Sequence, residues 1–165
     1  MGKSQIRIGL LGFGTVGSAF VELLETQKLS IFSKTGLELV VTHVAVNDLT
    51  KDRSGLNAQT LLTNKPNEVI ENTEVDLVVE LMGGLLPAKD LVEAALENSK
   101  PVITANKELL SKEGRHLFTL AGVRKVDLLF EAAVAGGIPL IRVLRESLLG
   151  EPVEKIMGIV NGTTN

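Results

Sequence analysis

Residues Ile6 to Gly17 read I-R-I-G-L-L-G-F-G-T-V-G. A short apolar run (Ile6, Ile8, Leu10, Leu11) leads into Gly12-Phe13-Gly14-Thr15-Val16-Gly17, and a stretch with helical spacing follows at once. This is strand, glycine turn, helix, with G-x-G-x-x-G at the joint. In such a joint Gly12 permits a tight turn, Gly14 leaves bare backbone for a pyrophosphate, and Gly17 lets the helix pack closely on the strand. The free N–H groups and positive dipole end of the helix then face the phosphates. Glycine turns are common, so the motif alone is weak. Its flanks are those a dinucleotide site requires, and they favour that reading over a plain structural turn.

Working outward, Thr15–Gln27 carries apolar residues at Val16, Phe20, Val21, Leu23 and Leu24, the spacing of an amphipathic helix. Leu29–Gly36 reads as an added loop and Leu37–Val46, rich in β-branched residues, as a second strand. Thr50–Gly55 is polar loop, and Leu56–Leu62 suggests a short helix. Asp76–Leu81 is a strand, and Pro87 opens a helix to about Asn98. Pro101–Ala105 is another strand, Lys107–Val123 is largely helical, Asp127–Glu131 is a strand, and Pro139–Leu148 is helical. Val153–Val160 reads as a last strand, in this sheet or in another. Strands alternating with helices predict an α/β fold: a Rossmann-like, doubly wound, mostly parallel sheet with helices on both faces. The 165 residues suit one domain.

Open parallel sheets bind ligands beyond the carboxyl ends of their strands. The polar and glycine-rich clusters fall at those ends: Gly12–Gly17, Asn47-Asp48, Gly83-Gly84, Asn106-Lys107, Glu131–Gly137 and Asn161–Thr164. Asn47 and Asp48 sit where an adenosine ribose is read; the alternative is an Asx turn closing the strand. An acid there favours NAD and a nearby cation favours NADP. Lys51 and Arg53 follow Asp48 closely, and Asp48 lies 31 residues after Gly17, so the choice of cofactor stays open. Gly83 and Gly84 either admit a nicotinamide ribose or pyrophosphate against the backbone or make a turn with positive φ. Lys107, after V-I-T-A-N at a strand end, is placed to orient a substrate carbonyl or stabilise developing negative charge; the alternative is a surface lysine at a helix start. Glu131 opens E-A-A-V-A-G-G-I-P. Its carboxylate and the loop carbonyls could hold a hard cation, but a turn before a helix is the simpler reading.

Composition narrows the classes. The chain is 44% hydrophobic and 22% charged, with five Phe, no Tyr and no Trp. Scarce aromatics and a net charge of -3 argue against nucleic-acid partners. The absence of cysteine excludes disulfides, zinc–thiolate sites and thiol nucleophiles. No apolar run is long enough to span a bilayer and no signal peptide fits Met1–Gln5, so the expected location is cytoplasmic. His43 falls within a strand and His116 within a helical stretch, which leaves little support for histidine acid–base chemistry.

Five segments together are specific: G-L-L-G-F-G-T-V-G, V-V-E-L-M-G-G, T-A-N-K-E-L-L, F-E-A-A-V-A-G-G-I-P-L and G-I-V-N-G-T-T-N. In order and approximate spacing the chain resembles the N-terminal nucleotide-binding domain of homoserine dehydrogenases. The resemblance implies NAD(P)-dependent, reversible reduction of L-aspartate 4-semialdehyde to L-homoserine, on the route to threonine, methionine and isoleucine. It implies cofactor contacts at Gly12, Phe13, Gly14, Thr15, Val16 and Gly17, with Gly83 near the nicotinamide half. It implies a catalytic part for Lys107 beside nicotinamide and substrate. It further implies a sodium ion held by Glu131, Val134, Gly136 and Ile138, mostly through backbone oxygens. The family's substrate and dimerisation domain has no counterpart in these residues, so the expectation is a fragment of a homodimeric enzyme that binds NADP or NAD without efficient turnover. The nucleotide-binding module of another amino-acid or semialdehyde dehydrogenase and a non-catalytic dinucleotide-binding domain are the competing readings.

Overall fold

A computed structural model describes residues 4–53 and 55–158. Six strands, β1 (Gln5–Leu11), β2 (Glu38–Ala45), β3 (Leu61–Thr63), β4 (Leu77–Glu80), β5 (Val102–Thr104) and β6 (Leu128–Leu129), form one sheet. Their order is β3-β2-β1-β4-β5-β6, and every pairing is parallel. The helices are α1 (Thr15–Thr26), α2 (Lys28–Thr35), α3 (Pro66–Ile70), α4 (Ala88–Glu97) and α5 (Lys107–Arg124). The expected Rossmann-like α/β fold is therefore present, with the strand order reversing between β1 and β4.

Period-two alternation explains why both faces are covered. Ile8 and Leu10 of β1 join Val44 of β2 and Val79 of β4 against Val21 and Leu24 of α1. Their neighbours Leu11, Ala45 and Val78 point the other way, into a second cluster with Val69 and Ile70 of α3, Leu91, Val92 and Leu96 of α4, and Leu109 and Leu117 of α5. Leu10 and Leu11 are both fully buried, on opposite faces. Each such side chain contributes about 2 kcal/mol through removal from water. At the amino edge, Arg7 Nε and Nη2 donate to the two Asp76 carboxylate oxygens at 3.1 and 3.2 Å, tying the start of β1 to that of β4.

Several boundaries differ from the sequence reading. Leu29–Gly36 is not a loop: Lys28–Thr35 forms α2, which packs Ile31 against the core and anchors Lys28 to Glu38 at 2.8 Å. No clear apolar face marks it, because none of its residues is fully buried and Leu29 and Phe32 are exposed. Leu56–Leu62 is not a helix. Turns lead into β3, because the open edge of β2 offers backbone groups that a short apolar run can pair with; Thr60 Oγ1 donates to the Val41 carbonyl and Val46 N–H to the Thr63 carbonyl. The strand expected over Asp127–Glu131 shrinks to Leu128–Leu129. The helical stretch after Pro139 is present from Ile141, with π-type bonding over Val143–Ser147. Val153–Gly158 is not a strand; it pairs with no described strand, and Ile159 and Val160 lie outside the described residues.

His43, in β2, is buried, with Nδ1 2.9 Å from Thr42 Oγ1 and Nε2 3.0 Å from the Asn72 side-chain nitrogen. Burial pushes its pKa below the ordinary 6.5; Glu74 opposes this, and Arg7 and Lys100 add to it. The unfolded chain therefore takes up a proton at a pH where the folded chain stays neutral, and stability falls as pH drops below about 6.5. The melting temperature is expected to decline between about pH 7 and 5.5, and His43→Gln should flatten that slope. Identical slopes in thermal scans of the two proteins would remove His43 as the cause.

Candidate functional site

The turn after β1 is set by crowding. Gly12 has φ +96°, and a Cβ there would lie 2.9 Å from the Leu81 carbonyl oxygen. At Gly17, buried in the first turns of α1, a Cβ would collide with the carbonyl oxygen of Gly12. The helix can approach its strand this closely only without a side chain at that position. Gly14 is the N-cap of α1; no side chain caps the helix and no acid sits in its first turn. The leading N–H groups are thus left for an external acceptor. A Cβ on Gly14 would meet nothing within 4 Å, so open space lies directly over this backbone.

That space belongs to a crevice of about 450 Å³ at the carboxyl ends of β1, β2 and β4, where the strand order reverses. Of the residues predicted for cofactor contact, Gly12, Phe13, Gly14, Asn47, Asp48 and Gly83 line it. Thr15, Val16 and Gly17 form the first turn of α1 and are not part of the crevice lining. Lys51 and Arg53 also line it, as do Asn64 and Pro66, brought in by β3 and α3. Those two were missed because that strand and helix were not anticipated.

Asp48 makes the Asx turn: Oδ1 accepts from Thr50 N–H at 2.9 Å and from Thr50 Oγ1 at 2.7 Å. The Thr50 hydroxyl, then its N–H, hold this carboxyl below its ordinary pKa. Arg53 is drawn over the same loop, Nη2 donating to the Asp48 carbonyl at 2.6 Å and Nη1 to that of Lys51 at 3.0 Å.

The second half of the carboxyl edge rests on buried polar groups, of which sequence reasoning had singled out only Asn106. Glu80, Thr104 and Asn106 are all buried. Glu80 Oε1 accepts from the N–H groups of Met82 (2.8 Å) and Gly83 (3.1 Å), and Oε2 from Thr104 Oγ1 (2.5 Å). Gly83 and Gly84 take positive φ, as the turn reading expected, while Gly83 also lines the crevice. Asn106 caps α5 by accepting from Leu109 N–H at 3.0 Å and donates to the Gly84 carbonyl at 2.6 Å. The available signal was the lone acid in V-V-E-L, an apolar strand end.

Lys107 opens α5, is exposed, and is not part of the crevice wall. Among the described residues it makes no ion pair; Glu108, its neighbour, pairs with Lys112 at 2.7 Å. Glu131, Val134, Gly136 and Ile138 lie in two 3-10 turns and their ends after β6, apart from the crevice wall. The Glu131 carboxylate accepts from Ile141 N–H (3.0 Å) and Arg142 N–H (2.8 Å), so it caps the following helical turn. Among the described residues no cluster of three or more His, Asp or Glu is suited to a metal ion, and the sodium expectation finds no support. The Asn161–Thr164 cluster lies outside the described residues.

Residues 12–131 match the family model described as homoserine dehydrogenase, NAD binding domain. The chain belongs to the homoserine dehydrogenase family. It is 41% identical over 160 residues to the homoserine dehydrogenase of Bacillus subtilis, covering 97% of this chain and 37% of that protein. The crystal structure of a homoserine dehydrogenase from Thiobacillus denitrificans superimposes with a TM-score of 0.82 at 44% identity, over 88% of this chain and 34% of that one. A hyperthermophilic archaeal homoserine dehydrogenase in complex with NADPH matches with a TM-score of 0.72 at 26% identity, over 88% of this chain and 50% of that one. The chain thus spans little more than a third of the length of the curated relatives it matches. The crevice falls within the stretch that matches the family's NAD-binding domain.

No helix among the described residues is long and apolar enough to cross a membrane. Two of the three glycines of the turn after β1, Gly17 and Gly14, separate folding from binding. Gly17→Ala forces a Cβ against a backbone carbonyl and should destabilise the fold by about 2 kcal/mol or more. Gly14→Ala places its methyl in open space and should keep the wild-type melting temperature while weakening NADPH binding about tenfold or more. Thermal scans with and without NADPH check both, and equal melting temperatures for wild type and Gly17→Ala would contradict the close contact.

Proposed function

We propose that this chain is the dinucleotide-binding domain of an enzyme that interconverts L-aspartate 4-semialdehyde and L-homoserine, and that it binds NADP(H) along the crevice. The observation that carries this reading is the uncapped start of α1 beside open backbone at Gly14, at the point where strand order reverses. The diphosphate lies over Gly12–Gly14, the adenosine end over Asn47 and Asp48, and the nicotinamide end beside Gly83. Substrate-binding and dimer-forming parts come from the rest of the enzyme, so the 165 residues alone bind cofactor and turn over negligibly.

The adenosine end supports NADP over NAD. The side chain of Asp48 is engaged by Thr50, whereas Lys51 and Arg53 supply two cations to the same wall. A 2′-phosphate gains from those charges and a bare ribose does not. Lys51→Ala combined with Arg53→Ala should therefore weaken NADPH by about tenfold or more and leave NADH nearly unchanged. Parallel losses in fluorescence titrations of the two cofactors would count against this assignment.

A bound nicotinamide supplies the hydride; the protein fixes geometry and charge. Lys107 polarises the substrate carbonyl. Its position supports this role, because a cation at a helix start is disfavoured by the macrodipole and Glu108 is paired elsewhere. In the full-length enzyme Lys107→Ala should lower kcat by about 100-fold or more with little change in NADPH affinity. Steady-state kinetics with homoserine and NADP⁺ read this out, and an unaltered kcat would exclude Lys107 from the chemistry.

A further inference from the structure

We propose that Glu80 is a positioning residue: its buried carboxylate joins the Met82–Gly83 turn to the start of α5, so that the nicotinamide half of the crevice moves and holds its shape as one unit. The proposal rests on the dinucleotide reading above and deepens it.

Glu80 ends β4 and is fully buried, opposite Thr104 of β5 in the parallel register. It makes no ion pair among the described residues. Burying a carboxylate without a cation is costly unless its oxygens are filled by donors. Three donors fill them here: two backbone N–H groups of the turn and the Thr104 hydroxyl. The remaining links close a ring. Thr104 Oγ1 accepts from Asn106 N–H at 3.0 Å, and the Asn106 side chain returns to the Gly84 carbonyl at 2.6 Å. Every group in this ring either shapes the wall at Met82 and Gly83 or sets the residue that immediately precedes Lys107. An apolar residue at Glu80 would pack the strand end equally well but would leave the Met82 and Gly83 amides without their acceptor. The choice of a carboxylate is explained by the geometry it imposes on the turn and on α5 together.

Because the ring touches only one half of the crevice, its loss should be felt by only one half of the ligand. The chain is titrated with NADPH and, separately, with adenosine 2′,5′-bisphosphate, which spans the Asn47–Arg53 end and the Gly12–Gly14 turn but lacks the nicotinamide half. Glu80→Gln and Thr104→Val should each weaken NADPH roughly tenfold and leave the bisphosphate within about twofold. Thr104→Ser, which keeps the hydroxyl, should bind both as wild type does. Circular dichroism monitors folding, and Thr104→Val carries the test if Glu80→Gln does not fold. Wild-type NADPH affinity in both variants overturns the proposal while leaving the crevice assignment intact. Parallel loss of both ligands, or unfolding of both variants, shows a purely structural role and also overturns it. Failure of the wild-type chain to bind either ligand removes the dinucleotide reading itself.

Discussion

Strand β1 has a strand on each edge and helices on each face, and it must still hand the chain to α1 within three residues. The contact that makes this possible is that of Gly17 on the carbonyl of Gly12, where no side-chain atom fits. With the helix this close, its first amides point across the carboxyl edge of the sheet, and Val21 and Leu24 reach the layer formed by Ile8, Leu10 and Val44. Core packing and phosphate chemistry thus share one steric requirement. The same backbone approach that seals the core on one side leaves the space over Gly14 open on the other.

The two ends of the crevice are built differently. Around Asn47–Arg53 the wall is a self-bonded surface loop, with Asp48 folded onto Thr50 and Arg53 onto two backbone carbonyls. Exposed charges there act through a partly screened field and suit recognition of a phosphate. Around Gly83 the wall stands on a buried network of Glu80, Thr104 and Asn106, in which each side-chain nitrogen and oxygen has a hydrogen-bond partner. Among the described residues no buried side-chain nitrogen or oxygen lacks a hydrogen-bond partner. A fully satisfied buried network is rigid. On the proposed cofactor placement, that rigidity falls at the nicotinamide end, which must be aimed at a second reactant, whereas the adenosine end needs only to be held.

Membership in the homoserine dehydrogenase family places this division in context, since the chain spans little more than a third of its relatives' length. A nucleotide-binding domain supplies one reactant and its orientation. Lys107 is exposed at the start of α5, on the same carboxyl edge but outside the crevice wall. The Glu131 loop is similar in standing: its carboxylate is spent on the amides of Ile141 and Arg142, which makes it a structural cap within these residues.

Much of this was legible in the residues themselves. The glycine turn, the succession of buried strands and the gathering of polar residues after them reflect local chemistry and periodicity, which survive in one dimension. The helix α2 and the strand β3 were not legible, because each owes its existence to a neighbour: α2 to the place Ile31 finds against the core, β3 to the free edge of β2. The same holds for the site. Gly12, Gly14 and Gly83 were identifiable because backbone freedom is a property of residue type. Glu80 was passed over because its role is a distance, set only when β4 and β5 lie side by side and bring its carboxylate to Thr104. Sequence by itself determined which segments could be buried and where the chain could turn; tertiary structure decided which polar atoms meet, since a hydrogen bond requires two groups within about 3 Å whatever their separation along the chain.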